Sequence, residues 1–243
     1  MRDKTAAIIV IGNEILSGKV VDTNAAFLTK ELRALGVSLR RILVVPDDLD
    51  DIADAIRTYR ATFDVVFTSG GVGPTHDDIT MEGVARGLGR PLSRHPFLEE
   101  KIRQYSGDRV NDTRLKMADV PDGAELIFGG QLDFPSVQVE NIFILPGIPE
   151  LFRDKFTAIK ARFKVDPYFL RVVYTRAVES TLALYLNETL ESFPLVQVGS
   201  YPTLSDPEYQ VRVTLESKDH EYLNRAFDDL VARLPLEMIV RTE

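Results

Sequence analysis

The chain has 243 residues, enough for one large domain or a medium one followed by a small one, and its 44% apolar and 27% charged residues exclude a disordered or low-complexity protein. It contains no cysteine, which excludes disulfide frameworks, thiolate metal sites and cysteine nucleophiles and leaves oxygen groups and His76, His95 and His220 as metal ligands. The net charge of −8 is uneven, with 7 Lys and Arg against 13 Asp and Glu from Asp166 onward, so a nucleic-acid backbone, which is held by cations, is not an expected partner.

At the N-terminus the apolar run meets Gly12 and Glu14 too soon for a signal peptide, and no stretch reaches the length of a membrane span. A cytoplasmic protein without a membrane partner is expected. Residues 6–11 (AAIIVI) form a continuous β-branched run, as in a strand covered on both faces. Residues 24–35 place Phe27, Leu28, Leu32 and Leu35 on one side of a helix that stops at Gly36. Strand 39–45, helix 51–60, strand 64–68 and helix 80–88 complete a βαβαβα order. Its short loops and buried strands predict an α/β three-layer sandwich with a mostly parallel sheet and ligands at the C-terminal strand ends.

Residues 97–105 read as helix and 109–118 as a polar and basic cluster, followed by a buried strand at 142–145 (IFIL) and a helix over 150–163. Asp166-Pro167 reads as a linker, because a residue before proline is biased out of the helical region. The expected domains are therefore 1–165 and 166–243. In the second, strands at 169–177, 196–200, 209–216 and 238–240 and helices at 180–192 and 219–234 give the order βαββαβ, a small α+β ferredoxin-like domain. Its segments 201–203 and 205–207 read as turns, and it has no concentrated set of catalytic groups.

After the third strand come Gly70, Gly71 and Gly73, then Pro74, Thr75, His76, Asp77 and Asp78, and then a helix. Three glycines in four positions permit positive φ and close backbone approach, and a helix start presents free N–H groups, so the segment suits an anion. On one reading it binds phosphate, with Asp77 or Asp78 holding a divalent cation, since paired carboxylates repel an anion unless a cation intervenes. On another, Thr75 and Asp78 form a capping box for the next helix. The two are compatible.

Other groups lie at the same strand ends. The string GNEILSGK from Gly12 is not a phosphate-binding P-loop, because five residues instead of four separate its glycines and Val20 replaces the magnesium-binding hydroxyl. No GxGxxG follows, which leaves a dinucleotide-dependent oxidoreductase with little support. Glu14 is a ligand candidate or a structural ion-pair partner. Asp22, Thr23 and Asn24 suit a helix cap. Of Asp47 and Asp48, one suits a cap and the other a ribose hydroxyl or metal-bound water. Asn111, Arg114 and Lys116 suit phosphate oxygens or a solvated face. His76 is placed to donate to phosphate, and His95 has no assigned role.

Taken in order, GNEILSG, TSGGVGPTHDDIT, N-D-T-R-L-K-M-A-x-x-P and ILPGIPE resemble the MoaB/Mog (molybdopterin-binding) fold family, and more closely the N-terminal domain of CinA-type competence/damage-inducible proteins. The similarity spans residues 6–160, and the tail after Asp166 is similar to the small second domain of the same group. The amidase domain of full-length CinA proteins is expected to be absent. The resemblance implies two activities. CinA-type domains and stand-alone relatives are metal-dependent pyrophosphatases on nucleotide diphosphates such as ADP-ribose, a related domain hydrolyses FAD, and Mog-type relatives bind and adenylylate molybdopterin. By the same resemblance Gly70, Gly71 and Gly73 hold phosphate, Asp78 is the catalytic or metal-binding carboxylate, Gly147 shapes the pocket, and the protein is a homo-oligomer. Asp77 stands where the Mog version has arginine, which favours hydrolysis over adenylyl transfer.

The resulting expectation is a hydrolase cleaving a nucleotide diphosphate, with Asp78 and Asp77 catalytic. Gly70, Gly71, Gly73, Thr75, Asn111, Arg114, Lys116 and Gly147 would bind phosphate or substrate. Asp78, Asp77 and Glu14 would hold Mg²⁺, Mn²⁺ or Co²⁺. The alternatives are a molybdopterin-binding or adenylylating protein and a non-catalytic nucleotide- or pterin-binding module.

Overall fold

A computed structural model describes residues 3–131 and 134–243, and the chain forms two compact units that divide between Val165 and Asp166. The first unit opens with β1 (Thr5–Ile11), α1 (Asn13–Leu16), α2 (Asn24–Ala34), β2 (Ser38–Val45), α3 (Leu49–Thr62), β3 (Val65–Ser69) and α4 (Thr80–Leu88). It continues with β4 (Leu92–Arg94), α5 (Pro96–Ser106), α6 (Asp112–Leu115), β5 (Asp119–Pro121), β6 (Glu125–Ile127), β7 (Ser136–Val139), β8 (Ile142–Leu145) and α7 (Pro149–Ile159).

The main sheet has the order β2-β1-β3-β8-β7-β6. Its first four strands are parallel, and β7 and β6 follow antiparallel. Alternate residues of the central strands feed two cores, as a two-residue side-chain period requires. Ile8, Val10 and Phe67 meet Leu28, Leu32, Phe152 and Phe156 from α2 and α7. On the opposite face Ile9, Ile11 and Val66 meet Ile52, Ile56 and Val84 from α3 and α4. This is the expected α/β three-layer arrangement with a mostly parallel sheet.

The sequence reading missed β4 to β7 and the single-turn helices α1 and α6. The β7–β8 turn is tight: Glu140 adopts a positive φ of 52°, and its carboxylate accepts hydrogen bonds from Arg60 at 3.0 Å and Arg90 at 2.8 Å. Helices α3 and α4 approach closely because Gly83 and Gly87 face α3. A Cβ at Gly83 would stand 2.7 Å from Cβ of Ile52, and one at Gly87 would stand 2.7 Å from the carbonyl of Ala53.

The second unit contains β9 (Phe169–Thr175), α8 (Glu179–Ser192), β10 (Gln197–Pro202), β11 (Val211–Ser217), α9 (His220–Arg233) and β12 (Ile239–Thr242). Its antiparallel sheet, in the order β10-β11-β9-β12, has the ferredoxin-like arrangement. Val173, Val213 and Leu215 pack with Leu182, Leu223, Phe227 and Leu230 from α8 and α9. Arg233 joins the two helices, donating to Asp229 at 2.6 Å and Glu188 at 2.9 Å. Tyr201 and Pro202, read from sequence as part of a turn, instead finish β10. Pro202 is tolerated because β10 is an edge strand, where a missing amide breaks no ladder on the open side.

The α3–α4 contact yields a test. Gly83→Ala raises helix propensity yet inserts a methyl group into a filled interface, so it should destabilise by about 1–3 kcal/mol. The change should appear as a lower urea midpoint at unchanged slope.

Candidate functional site

Because β1, β3 and β8 are parallel neighbours, the segments that follow them open on one edge of the sheet. At their meeting point the backbones touch. Gly70 and Gly71 have φ of 106° and 64°. A Cβ at Gly70 would meet the Ile11 carbonyl, one at Gly71 the Thr80 hydroxyl, and one at Gly147 would stand 3.1 Å from the Gly70 Cα. The buried Thr80 opens α4, donating its hydroxyl to the Gly70 carbonyl at 2.8 Å and its amide to the Gly71 carbonyl at 3.0 Å. The Gly70 amide donates to Leu145 at 3.3 Å, so it is engaged within the sheet and does not face a ligand. Among the described residues, the amides of Gly71, Val72 and Gly73 have no hydrogen-bond partner and form the open part of the cradle.

Beyond the glycines the segment folds on itself. The Thr75 amide donates to Asp78 Oδ2 at 2.8 Å, and the Thr75 hydroxyl lies 2.5 Å from both Asp77 Oδ1 and Asp78 Oδ2. One hydroxyl proton serves only one acceptor at a time, so two carboxylates converge on a single donor. The Thr75 hydrogen bond, followed by a backbone amide, holds the Asp77 carboxyl below the ordinary aspartate range, with smaller help from His76 and Lys116. The capping-box reading is corrected: the N-cap of α4 is Ile79, without a side-chain bond, and the Thr75–Asp78 pair closes a turn inside the loop instead. Gly73 makes room for this turn, since a Cβ there would stand 2.7 Å from Asp78 Oδ2.

Of the basic cluster, Lys116 reaches the loop, donating to the Asp78 carbonyl at 2.9 Å. Asn111 accepts from the Arg114 amide at 2.9 Å and caps α6, while the Arg114 guanidinium donates to Ser106 at 3.2 Å. Glu14, in the first turn of α1, folds back over Gly12, whose Cβ position would lie 2.5 Å from its carboxylate. Among the described residues no three His, Asp or Glu side chains converge, so Glu14 does not join Asp77 and Asp78 in one group. Both residues of the Asp47–Asp48 pair serve backbone amides: Asp47 accepts from Asn13 at 2.8 Å, and Asp48 caps α3 through the amides of Asp50 and Asp51. His76 is exposed, 4.0 Å from Asp77 Oδ1.

The sequence reading of Asp22, Thr23 and Asn24 as helix caps holds for Asp22 and missed the role of Asn24. Asp22 alone caps α2, accepting from the amides of Asn24 at 2.9 Å and Ala25 at 3.2 Å, and Thr23 makes no capping bond. Asn24 turns inward to the strand ends, where its Nδ2 donates to Ser69 Oγ at 2.9 Å and to the Gly147 carbonyl at 2.7 Å. The only sequence signal was that Asp22 already supplies a cap, which leaves Asn24 to spare. Exposed apolar side chains also flank the loop: Leu16, Val20 and Val21 follow β1, and Ile148 follows β8.

The donor set suits a hard divalent cation. Asp77, Asp78 and Thr75 present oxygens only, and magnesium-like ions bind through one or two carboxylates together with phosphate oxygens rather than in all-protein cages.

A glycine-turned loop at the ends of a parallel sheet, followed by a ferredoxin-like unit, defines an α/β ligand-binding protein with an appended α+β domain. The chain belongs to the molybdopterin-binding-domain (MoaB/Mog) family: residues 7–164 match the family described as probable molybdopterin binding domain, and residues 167–243 match the family described as FAD synthase, middle domain. It is 34% identical to a protein of Archaeoglobus fulgidus over 92% of this chain and 96% of that one. A CinA-like protein of Thermotoga maritima is 32% identical over 95% of this chain and 58% of its own length. A probable FAD synthase of Caenorhabditis elegans is 31% identical over 93% of this chain; the chain spans only 49% of that relative. Among solved structures, CinA from Thermoplasma acidophilum aligns with a TM-score of 0.62 at 37% identity, over 66% of this chain and 98% of that one.

The electrostatics of the loop yield a test. Asp77 is depressed in the folded chain, so its favourable contacts are fully present above the ordinary aspartate range and are lost as pH falls through the lowered midpoint. Thr75→Val removes the largest cause, and the Asp77 midpoint, followed by ¹³C carboxyl NMR, should rise toward the ordinary range.

Proposed function

We propose that the chain hydrolyses the diphosphate linkage of a nucleotide of the ADP-ribose or FAD type with the help of Mg²⁺, Mn²⁺ or Co²⁺. The observation that carries this reading is the convergence of Asp77 and Asp78 on the Thr75 hydroxyl, two residues beyond the unpaired amides of Gly71, Val72 and Gly73. Two anions beside an anion cradle oppose phosphate binding unless a cation neutralises them. Asp77, Asp78 and Thr75 would hold that cation, which when bound polarises a phosphoryl group and lowers the pKa of a water.

The chain's own residues account for the other requirements. The open amides accept charge that builds on phosphoryl oxygens, and being fixed by the Gly70–Thr80 and Gly71–Thr80 bonds they need little reorganisation. Lys116 adds positive charge at the base of the loop while its bond to the Asp78 carbonyl holds the carboxylates in place. Leu16, Val20, Val21 and Ile148 offer apolar surface to the flat ring of a nucleotide. The names of the probable FAD synthase relatives support a ligand of this chemical class.

A second reading rests on the match of residues 7–164 to a probable molybdopterin binding domain: the same cradle would hold the phosphate of a pterin, with or without adenylylation.

One experiment separates the readings. The purified protein is incubated with ADP-ribose and FAD and each of the three metals, and AMP is measured. AMP release that stops on chelation and returns with metal is expected, with Asp78→Asn lowering kcat/KM by on the order of 100-fold. No AMP from either diphosphate with any metal would refute the hydrolytic reading, and a pterin retained through purification by such an inactive protein would favour the second.

A further inference from the structure

Asn24 is the first residue of α2 and is only 4% exposed, yet it does not serve the helix that it begins. Asp22 caps α2, so the amide side chain of Asn24 is free for another task. It points to the strand ends, where one nitrogen donates both to Ser69 Oγ at 2.9 Å and to the Gly147 carbonyl at 2.7 Å. Its orientation follows from chemistry, because a carbonyl can only accept, so the nitrogen and not the oxygen must face Gly147. The amide oxygen is buried without a partner among the described residues. A side chain whose acceptor goes unused while both its donor bonds are made is held in place for its N–H groups.

We propose that Asn24 is a positioning residue that ties the glycine loop to the 146–148 turn and thereby sets the opening in which the diphosphate lies. Ser69 is followed directly by Gly70, and the Cβ position of Gly147 stands 3.1 Å from the Gly70 Cα. The two segments therefore touch at Gly70, where the Gly70 amide already donates to the Leu145 carbonyl, and the Asn24 NH₂ group adds a side-chain link across the same point. Neither segment has a side-chain bond to the other that would replace it among the described residues. The open amides of Gly71 to Gly73 begin one residue beyond this tie. Loss of the tie frees the turn and the loop together, whereas loss of the Thr29 hydroxyl, which donates to the Ala25 carbonyl at 2.7 Å, perturbs α2 without touching Asn24.

The test uses the full chain and four forms of it: wild type, Asn24→Ala, Ser69→Ala and, as the structural control in the same helix, Thr29→Ala. ¹⁵N order parameters of 70–73 and 147–148 are measured in each. Rigid backbone has values near 0.85 and flexible backbone falls below about 0.6. Asn24→Ala is expected to lower both segments together. Ser69→Ala should lower only 70–73, because the bond to Gly147 survives. Thr29→Ala should leave both unchanged.

The kinetic arm rests on the hydrolytic reading above. Asn24→Ala should lower kcat tenfold or more with KM changed less than threefold, since a misplaced cradle loses orientation rather than contact, and Thr29→Ala should stay within twofold of wild type in both. If Asn24→Ala leaves either segment as rigid as in wild type, the tie is refuted whatever the kinetics. If both segments loosen but wild type cleaves no diphosphate, the tie stands and the hydrolytic reading falls. Should wild type turn over while Asn24→Ala matches Thr29→Ala in kcat, the positioning role is refuted.

Discussion

At Gly70 three strands end within van der Waals contact of one another. Its amide reaches Leu145 at the end of β8, its carbonyl receives the Thr80 hydroxyl, and its α-carbon lies against the Ile11 carbonyl and beside Gly147. Any side chain there would collide with backbone, which unlike a flexible side chain has nowhere to move. The parallel sheet is thus brought to a point where β1, β3 and β8 deliver their following segments to one small region. The buried apolar strands keep that convergence rigid, since Ile8, Ile9 and Phe67 are fully enclosed between two helical layers. Where the site lies is decided by close packing of backbone, and its chemistry is then added by what hangs from the segments.

What hangs there is an imbalance of charge. Thr75 supplies one hydroxyl and one amide to two carboxylates, and the nearest ammonium, Lys116, reaches a carbonyl rather than either acid. The coordination of these carboxylates is incomplete at the protein surface, where the Asp77 side chain is half exposed. The same incompleteness is what a cation-assisted site for phosphates requires, and it accounts for the absence of a closed group of three acidic or imidazole ligands among the described residues. In such a site a phosphate of the ligand provides the remaining oxygens.

Much of the fold was legible because its signals are local. AAIIVI and DVVFT are enclosed strands by composition alone, and the helices between them announce themselves by apolar spacing and by stops such as Gly36. The short strands β6 and β7 were not legible, since three and four residues that include Glu125 and Gln138 carry no period to detect. Strand order is non-local, and nothing in the string IFIL says that it lies beside β3. In the site, the glycine-rich loop and its aspartates stood out, but their bonding did not. A threonine three residues before an acid has the same spelling in a capping box and in a closed turn, and α4 begins four residues too late for the former. Asn111, read as a phosphate contact or part of a solvated face, proves to be the cap of α6, which its spacing did not announce. Asn24 was overlooked because its partners, Ser69 and Gly147, lie 45 and 123 positions away.

The proline that closes β10 bears on how the molecule behaves in a crowd. An outer strand offers unpaired peptide groups to any passing chain, the first step of sheet-to-sheet growth. Here one outer strand ends in Pro202, which has no amide to offer, and the opposite one, β12, is only four residues long and carries Arg241. The residues of this unit are also strongly acidic, so copies repel before their edges meet. Both outer edges of the appended sheet therefore carry a residue that opposes the addition of a further strand, Pro202 on one and Arg241 on the other.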